Sequence, residues 1–280
     1  MYDNAGLIRQ VVDVLRHGRT ALVTDIDGTI SPIVARPEEA MVLPEARNAL
    51  EGLRDKLTVV GVVTGRSVAD ARQMVGIDGL VYIGNHGLEV YTHGRAEVAA
   101  EAKPWVPRIA AVLDQVARQA MTGVIIEDKG VTASIHYRLT PQPDAAREHL
   151  LHLLAGTAQT NGIRVEEGRR VINLLPPLMV TKGTAVTWLV TEHKLSGVVF
   201  LGDDITDVHA FQALQSLRQK GKVNALRIGV VGPETAPSVK QLADAAVPSA
   251  AAVAQLLSSV LACLETNDRM DGRPPGIGSN

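Results

Sequence analysis

The chain has 280 residues, 46% of them hydrophobic and only 3% aromatic, so a sizeable core has to be built from Ala, Val, Leu and Ile, a mix that suits α/β layers. With 28 basic and 30 acidic residues the formal charge is −2, which gives no electrostatic reason to expect nucleic acid or an anionic membrane as partner. A single cysteine, Cys263, allows no internal disulfide, and no charged-then-apolar leader precedes the first helix-like stretch, so a cytoplasmic protein is expected.

Leu7, Ile8, Val11, Val12, Val14 and Leu15 recur at helical spacing and predict a first helix ending near His17 and Gly18. Residues 21–30, ALVTDIDGTI, then run from apolar to polar within four positions, as a buried parallel strand does where its carboxyl end opens into a loop. Asp25 and Asp27, two apart on an extended chain, point the same way, and Gly28 supplies a turn. A helix from Pro44 carrying Leu50, Leu53 and Leu57 leads to a second apolar strand at 58–63. That strand ends in Thr64-Gly65-Arg66-Ser67 before a helix from about Val68, which places a hydroxyl and free backbone N–H groups at a helix start. A short strand at 80–83 closes on Gly84-Asn85-His86-Gly87-Leu88-Glu89. Strands alternating with helices predict a doubly wound, mainly parallel sheet.

From about Lys103 the rhythm changes to helix, strand, strand, repeated once. In the strand at 131–138, Val131, Ala133, Ile135 and Tyr137 share one face while Thr132, Ser134, His136 and Arg138 share the other, the pattern of a half-exposed antiparallel strand. This α+β block on an antiparallel sheet ends at Pro176-Pro177. Lys182-Gly183 then opens a helix, 198–201 is a buried strand ending in Gly202-Asp203-Asp204-Ile205-Thr206-Asp207, and 226–231 is another strand. Residues 245–264 carry no charge and are long enough to span a bilayer, but Pro248, Gln255 and the serines, with Val253, Leu256, Leu257, Val260, Leu261 and Leu264 on one stripe, predict a helix packed on a sheet. The predicted organisation is a core at 1–102 and 178–265, an inserted cap at 103–177, and a mobile Gly/Pro-rich tail at 266–280.

Polar groups therefore cluster at strand and helix ends: Asp25 and Asp27, Thr64, Lys182, and Asp203 with Asp204 and Asp207. Like charges about 4 Å apart repel by several kcal/mol even at an effective dielectric of 20, so such a mouth calls for a cation. An all-oxygen donor set points to magnesium rather than zinc. Asp25 is the candidate nucleophile toward phosphorus, Asp203 a metal ligand, Asp27 the acid/base, and Thr64 and Lys182 the groups that hold the transferring phosphoryl. Taken singly, Lys182 also reads as a solvated cation, Thr64 as a helix cap and 203–207 as a polar turn.

Asp25-Ile26-Asp27-Gly28-Thr29, Thr64-Gly65-Arg66, Lys182-Gly183 and Gly202-Asp203-Asp204 resemble the four ordered motifs of the haloacid dehalogenase superfamily of phosphohydrolases. Ser31-Pro32-Ile33, the 84–89 string, Glu127-Asp128-Lys129-Gly130, His136-Tyr137-Arg138 and Asp203-Asp204-Ile205-Thr206-Asp207 are similar to the trehalose-6-phosphate phosphatase family. The resemblance implies a magnesium-dependent phosphomonoesterase whose mobile cap closes over a small-molecule sugar phosphate. It implies Asp25 as nucleophile, Asp27 as acid/base and metal ligand through its carbonyl, and Asp203 as metal ligand supported by Asp204 and Asp207. Thr64, Gly65, Arg66 and Lys182 become phosphate contacts, and Asn85, His86, Glu127, Lys129 and Arg138 substrate contacts. Asn173 departs from the glutamate common before the proline in this family, so it offers hydrogen bonds without charge. Trehalose 6-phosphate is the leading substrate; another sugar phosphate, such as sucrose phosphate or a glucosylglycerol-type phosphate, is the second reading, and a catalytically silent sugar-phosphate sensor the third.

Overall fold

In a computed structural model, residues 4–34, 36–119, 121–168, 170–233 and 235–270 are described. The chain divides into two units, Met1–Ala96 with Val180–Asn280, and Glu97–Met179. In chain order the elements are α1 (Asn4–Leu15), β1 (Thr20–Thr24), α2 (Pro44–Arg54), β2 (Val59–Val63), α3 (Val68–Val75), β3 (Val81–Gly84), β4 (Glu89–Thr92) and β5 (Arg95–Val98). There follow α4 (Val106–Gln119), β6 (Ile125–Asp128), β7 (Ala133–His136), α5 (Pro143–Asn161), β8 (Arg164–Gly168) and β9 (Val171–Leu175). The remainder comprises α6 (Lys182–Glu192), β10 (Gly197–Gly202), α7 (Ile205–Gln219), β11 (Asn224–Val230), α8 (Pro237–Leu242), β12 (Ala245–Val247) and α9 (Ala250–Met270).

Among the described residues, the first unit holds an eight-stranded sheet in the order β12-β11-β10-β1-β2-β3-β4-β5. It is parallel from β12 to β3 and turns antiparallel at β4. The apolar strands are buried on both faces. Leu22, Val60, Val62, Val199 and Leu201 pack toward Leu50, Leu53, Val253 and Leu257, whereas Ala21, Val23, Val63, Val198 and Phe200 pack toward Val186, Leu189 and Phe211. Chain direction across the sheet reverses between β1 and β10, and open α/β sheets bind ligands at such a crevice, outside the carboxyl ends of the strands.

The second unit is a four-stranded antiparallel sheet, β6-β7-β9-β8. Helices α4 and α5 cover one face, where Ile109, Val112, Leu150 and Leu154 meet Ile135, Ile172 and Leu174. The polar face of β7 is less exposed than its alternation predicts: Thr132 and Ser134 are both buried. The strand also stops at His136, so Arg138 sits in a turn closed by the Thr140 N–H on the Tyr137 carbonyl.

Two further differences from the sequence reading concern the first unit. The pair β4 and β5 extends the sheet past the 84–89 string, where the sequence predicts no strand, because these short strands are half-buried or exposed and lack an apolar signature. At the other edge, residues 245–247 form a strand on β11, and the helix begins only at Ala250, past Pro248. That helix continues to Met270, into the segment expected to be a mobile tail; residues 271–280 of that tail lie outside the described residues. Among the described residues no helix is long and apolar enough to cross a membrane.

Candidate active site

Strand β1 delivers Asp25 directly to the crevice, where its N–H donates to the Leu201 carbonyl at the end of β10 at 3.0 Å. The chain then turns sharply, with the N–H groups of Thr29, Ile30 and Ser31 all donating to the Ile26 carbonyl. Gly28 makes this turn with a φ of +82°, and a Cβ there would lie 2.2 Å from Asp203 Oδ2. From β10 comes Asp203, whose Oδ1 accepts from Thr29 Oγ1 at 3.3 Å. Asp207, one turn into α7, reaches back so that its Oδ2 accepts the N–H groups of Asp203 (3.0 Å) and Asp204 (3.1 Å). Helix α6 starts with a capping box between Thr181 and Thr184, which puts Lys182 on its first turn. Its next residue is glycine because α7 lies close: a Cβ at Gly183 would be 2.5 Å from the His209 carbonyl oxygen.

The Lys182 ammonium sits between two carboxylates, 2.7 Å from Asp207 Oδ1 and 3.1 Å from Asp25 Oδ1. Lysine and both aspartates are buried, at 2%, 0% and 5% exposure for Lys182, Asp207 and Asp25. Burial alone pushes the ammonium down, but Asp207 and Asp25 more than reverse this and hold it above the usual lysine range. Burial pushes the Asp25 carboxyl up to about 7, against the pull of Lys182 and with help from Asp207 and Asp27. Burial also raises Asp207, with Lys182 opposing.

Oxygens of Asp25, Asp203 and Asp207 all lie within 4.8 Å of one another. Three buried carboxylates, two of them against a single ammonium, are short of positive charge, and an oxygen-only donor set suits a hard divalent cation, so the residues present fit such an ion. All three carboxylates are also engaged by the protein: Asp207 accepts from Lys182 and two backbone amides, Asp25 lies against Lys182, and Asp203 accepts from Thr29 Oγ1. Asp27, which the resemblance implies as a ligand through its backbone carbonyl, turns its side chain to Arg66, whose Nε and Nη2 donate to its two oxygens at 2.7 and 2.8 Å. Asp204 is partly exposed at the start of α7.

Thr64 is buried at the end of β2, and its Oγ1 accepts the Arg66 N–H at 3.2 Å. The 84–89 segment clamps this turn from the side. Asn85 N–H donates to the Arg66 carbonyl at 2.7 Å, His86 N–H to the Thr64 carbonyl at 3.0 Å, and Glu89 Oε2 accepts the Val68 N–H, first of α3, at 2.8 Å. Asn85 and His86 adopt left-handed backbone (φ 50° and 60°), a conformation unusual outside glycine. Asn85 and His86 stand out in the sequence, whereas Glu89 carries no local mark of the distant helix start it caps.

Within the second unit, Glu127, Lys129 and Asn173 belong to one polar network. Glu127 Oε2 lies 3.0 Å from His136 Nε2 and 3.4 Å from Lys129 Nζ. Lys129 Nζ donates to Ser134 Oγ at 2.9 Å, and Ser134 Oγ to Asn173 Oδ1 at 2.8 Å. Ser134, which the sequence places only on a strand face, and His136, of the His136-Tyr137-Arg138 string, are thus further members. Arg138, in its turn, is half-buried.

A family model described as trehalose-phosphatase matches residues 23–244, which span the Asp25 turn, the 64–66 turn, Lys182 and the 203–207 carboxylates. The chain belongs to the trehalose-phosphatase family. Over 216 residues it is 35% identical to a trehalose-phosphate phosphatase of Mycobacterium tuberculosis, covering 73% of this chain and 54% of that protein. This trehalose-phosphatase family member therefore spans about half the length of the curated relatives it matches first. A solved structure of the C-terminal domain of Candida albicans trehalose-6-phosphate phosphatase superposes with a TM-score of 0.78 at 21% identity, covering 94% of this chain and 98% of that one. A haloacid dehalogenase-like hydrolase from Bacteroides thetaiotaomicron superposes at 0.61 with 13% identity, covering 87% and 100%. The fold of this trehalose-phosphatase family member is accordingly of the haloacid dehalogenase type, a large parallel sheet with an inserted antiparallel one.

Proposed function

We propose that the chain is a magnesium-dependent phosphomonoesterase that hydrolyses trehalose 6-phosphate to trehalose and phosphate through an aspartyl-phosphate on Asp25. The observation that carries this reading is the buried Asp25 carboxylate, 3.1 Å from Lys182 and gathered with Asp203 and Asp207 outside the ends of β1 and β10. In the first half-reaction an oxygen of Asp25 forms a bond to phosphorus as the bond from phosphorus to the sugar oxygen breaks, and Asp27 gives that leaving oxygen a proton. In the second, Asp27 takes a proton from water as the water oxygen attacks the acyl-phosphate, which restores both carboxyl groups and releases phosphate. Thr64, Gly65 and Lys182 hold the phosphoryl oxygens. Arg66, a phosphate contact by resemblance, grips Asp27 in the structure, and we assign it to orienting that acid. A magnesium ion held by Asp25, Asp203 and the Asp27 carbonyl, with Asp204 and Asp207 in support, would neutralise charge on the phosphoryl group.

Asn85, His86, Glu127, Lys129, Arg138 and Asn173 are assigned to the sugar. The exposed thiol of Cys263 is compatible with the reducing cytoplasm, where we place the reaction. Asn173, uncharged where the family commonly has glutamate, favours a second reading in which the same chemistry serves another sugar phosphate. Phosphate release measured with magnesium and after chelation, over trehalose 6-phosphate, sucrose 6-phosphate, a glucosylglycerol phosphate and an aryl phosphate, tests both. The expected result is the highest kcat/KM on trehalose 6-phosphate, loss of turnover on chelation, and a loss of at least about a thousandfold in Asp25→Asn with the circular dichroism unchanged. Turnover of none of the panel overturns the enzyme reading, and preference for another sugar overturns the substrate.

A further inference from the structure

The four strands of the second unit bring one polar residue each into a single line across the sheet. Glu127 on β6 lies opposite Ser134 on β7, Ser134 opposite Asn173 on β9, and Asn173 opposite Glu166 on β8. All four lie on the face turned away from α4 and α5, because Ile135, Ile172 and Leu174, their chain neighbours, fill the core on the other. The inner part of the line is already bonded. Ser134 donates to Asn173 Oδ1 at 2.8 Å, so what Asn173 has left to present is chiefly its amide N–H groups. Glu127 is occupied by His136 and Lys129. Glu166 differs: its side chain is 41% exposed, and its Oε1 is steadied by Arg164 Nε at 2.9 Å on the same strand.

A sugar ring presents neighbouring hydroxyls, each both donor and acceptor, and amide donors alone leave hydroxyl hydrogens without an acceptor. Side chains directly opposite on antiparallel strands have Cβ atoms about 4.5–5.5 Å apart, close enough to address adjacent hydroxyls. We propose that Glu166 is a sugar-selecting residue that acts as a pair with Asn173, the amide donating to one hydroxyl and the carboxylate accepting from its neighbour. This rests on the chain being a sugar-phosphate hydrolase, as proposed above. The competing role for a charged residue on an edge strand such as β8 is to keep that edge from pairing with other chains, and that role makes no distinction between substrates.

The unaltered chain, Glu166→Ala, and a swap carrying both Glu166→Asn and Asn173→Glu are compared on trehalose 6-phosphate and on an aryl phosphate, with urea unfolding as a check that each variant is folded. The readout is the ratio of the two kcat/KM values. In Glu166→Ala this ratio is expected to fall about tenfold or more, mainly through KM on the sugar substrate, because a charged hydrogen bond to the sugar is lost. The swap, which keeps one carboxylate and one amide in the same line, is expected to recover it to within about threefold of wild type. A wild-type preference for the sugar substrate with a ratio unmoved in Glu166→Ala overturns this inference alone, as does a loss that the swap fails to recover. A wild-type enzyme with no preference for any sugar phosphate over the aryl phosphate overturns the inference and the substrate reading together.

Discussion

Burial beside a single ammonium makes the charge of Asp25 costly, and that cost has a sign that can be measured. With its carboxyl pushed up to about 7, folded protein keeps the Asp25 proton over a range in which the unfolded chain has released it. Between about pH 4 and pH 7 the folded state therefore binds more protons than the unfolded one, and the contribution of this group to stability declines as pH rises through that window. A dication held as proposed at Asp25 and Asp203 would supply the missing positive charge only once the carboxylate is ionised. The expected outcome is that magnesium raises the melting temperature more at pH 8 than at pH 5, and that Asp25→Asn removes most of this difference. Equal magnesium shifts at both pH values would take Asp25 out of the metal site.

Between strand and helix, the element that decides the geometry is the turn after β1. Gly28 holds it in a left-handed conformation with Asp203 against its Cα, so Gly28→Ala meets two obstacles: backbone strain of about 1–2 kcal/mol and a methyl group inside contact distance of a carboxylate. Urea unfolding is expected to show a loss of that size or more, and magnesium titration of the variant a weakened response, since Asp203 has to move. A fully stable variant with unchanged metal dependence would mean that the turn relaxes without disturbing the carboxylates. Such turns were legible in the sequence because strands buried on both faces leave uninterrupted apolar runs, and a carboxylate at the end of such a run stands out. Pairing partners were not. Nothing near Arg66 in the chain indicates that it grips Asp27, and nothing near Asp207 indicates that it faces Lys182 rather than solvent, because both contacts are made by the fold across distant segments. Nor could composition separate β12 from α9 in a run of alanines, or find β4 and β5 among polar residues that need only pair with an existing edge.

At the scale of the whole chain, the two units differ in how far apart their partners lie in sequence. Strand β7 finds β6 and β9 within the contiguous second unit, whereas Thr20 of β1 pairs with Gly197 of β10 and with nothing nearer on that side. Pairings between distant segments form late. In pulse-labelled hydrogen exchange during refolding of the full chain, amides of β6, β7 and β9 are expected to gain protection before those of β1 and β10; simultaneous protection would show that one cooperative step forms both units. The same spacing matters while the protein is being made. Roughly 180 residues separate the two strands, so at about 5–20 residues per second β1 leaves the ribosome about 10–40 s ahead of its neighbour. For that interval one edge of a strand buried along its whole length in the native state has no partner in the nascent chain, and that edge is where chaperone protection during synthesis matters most for this molecule.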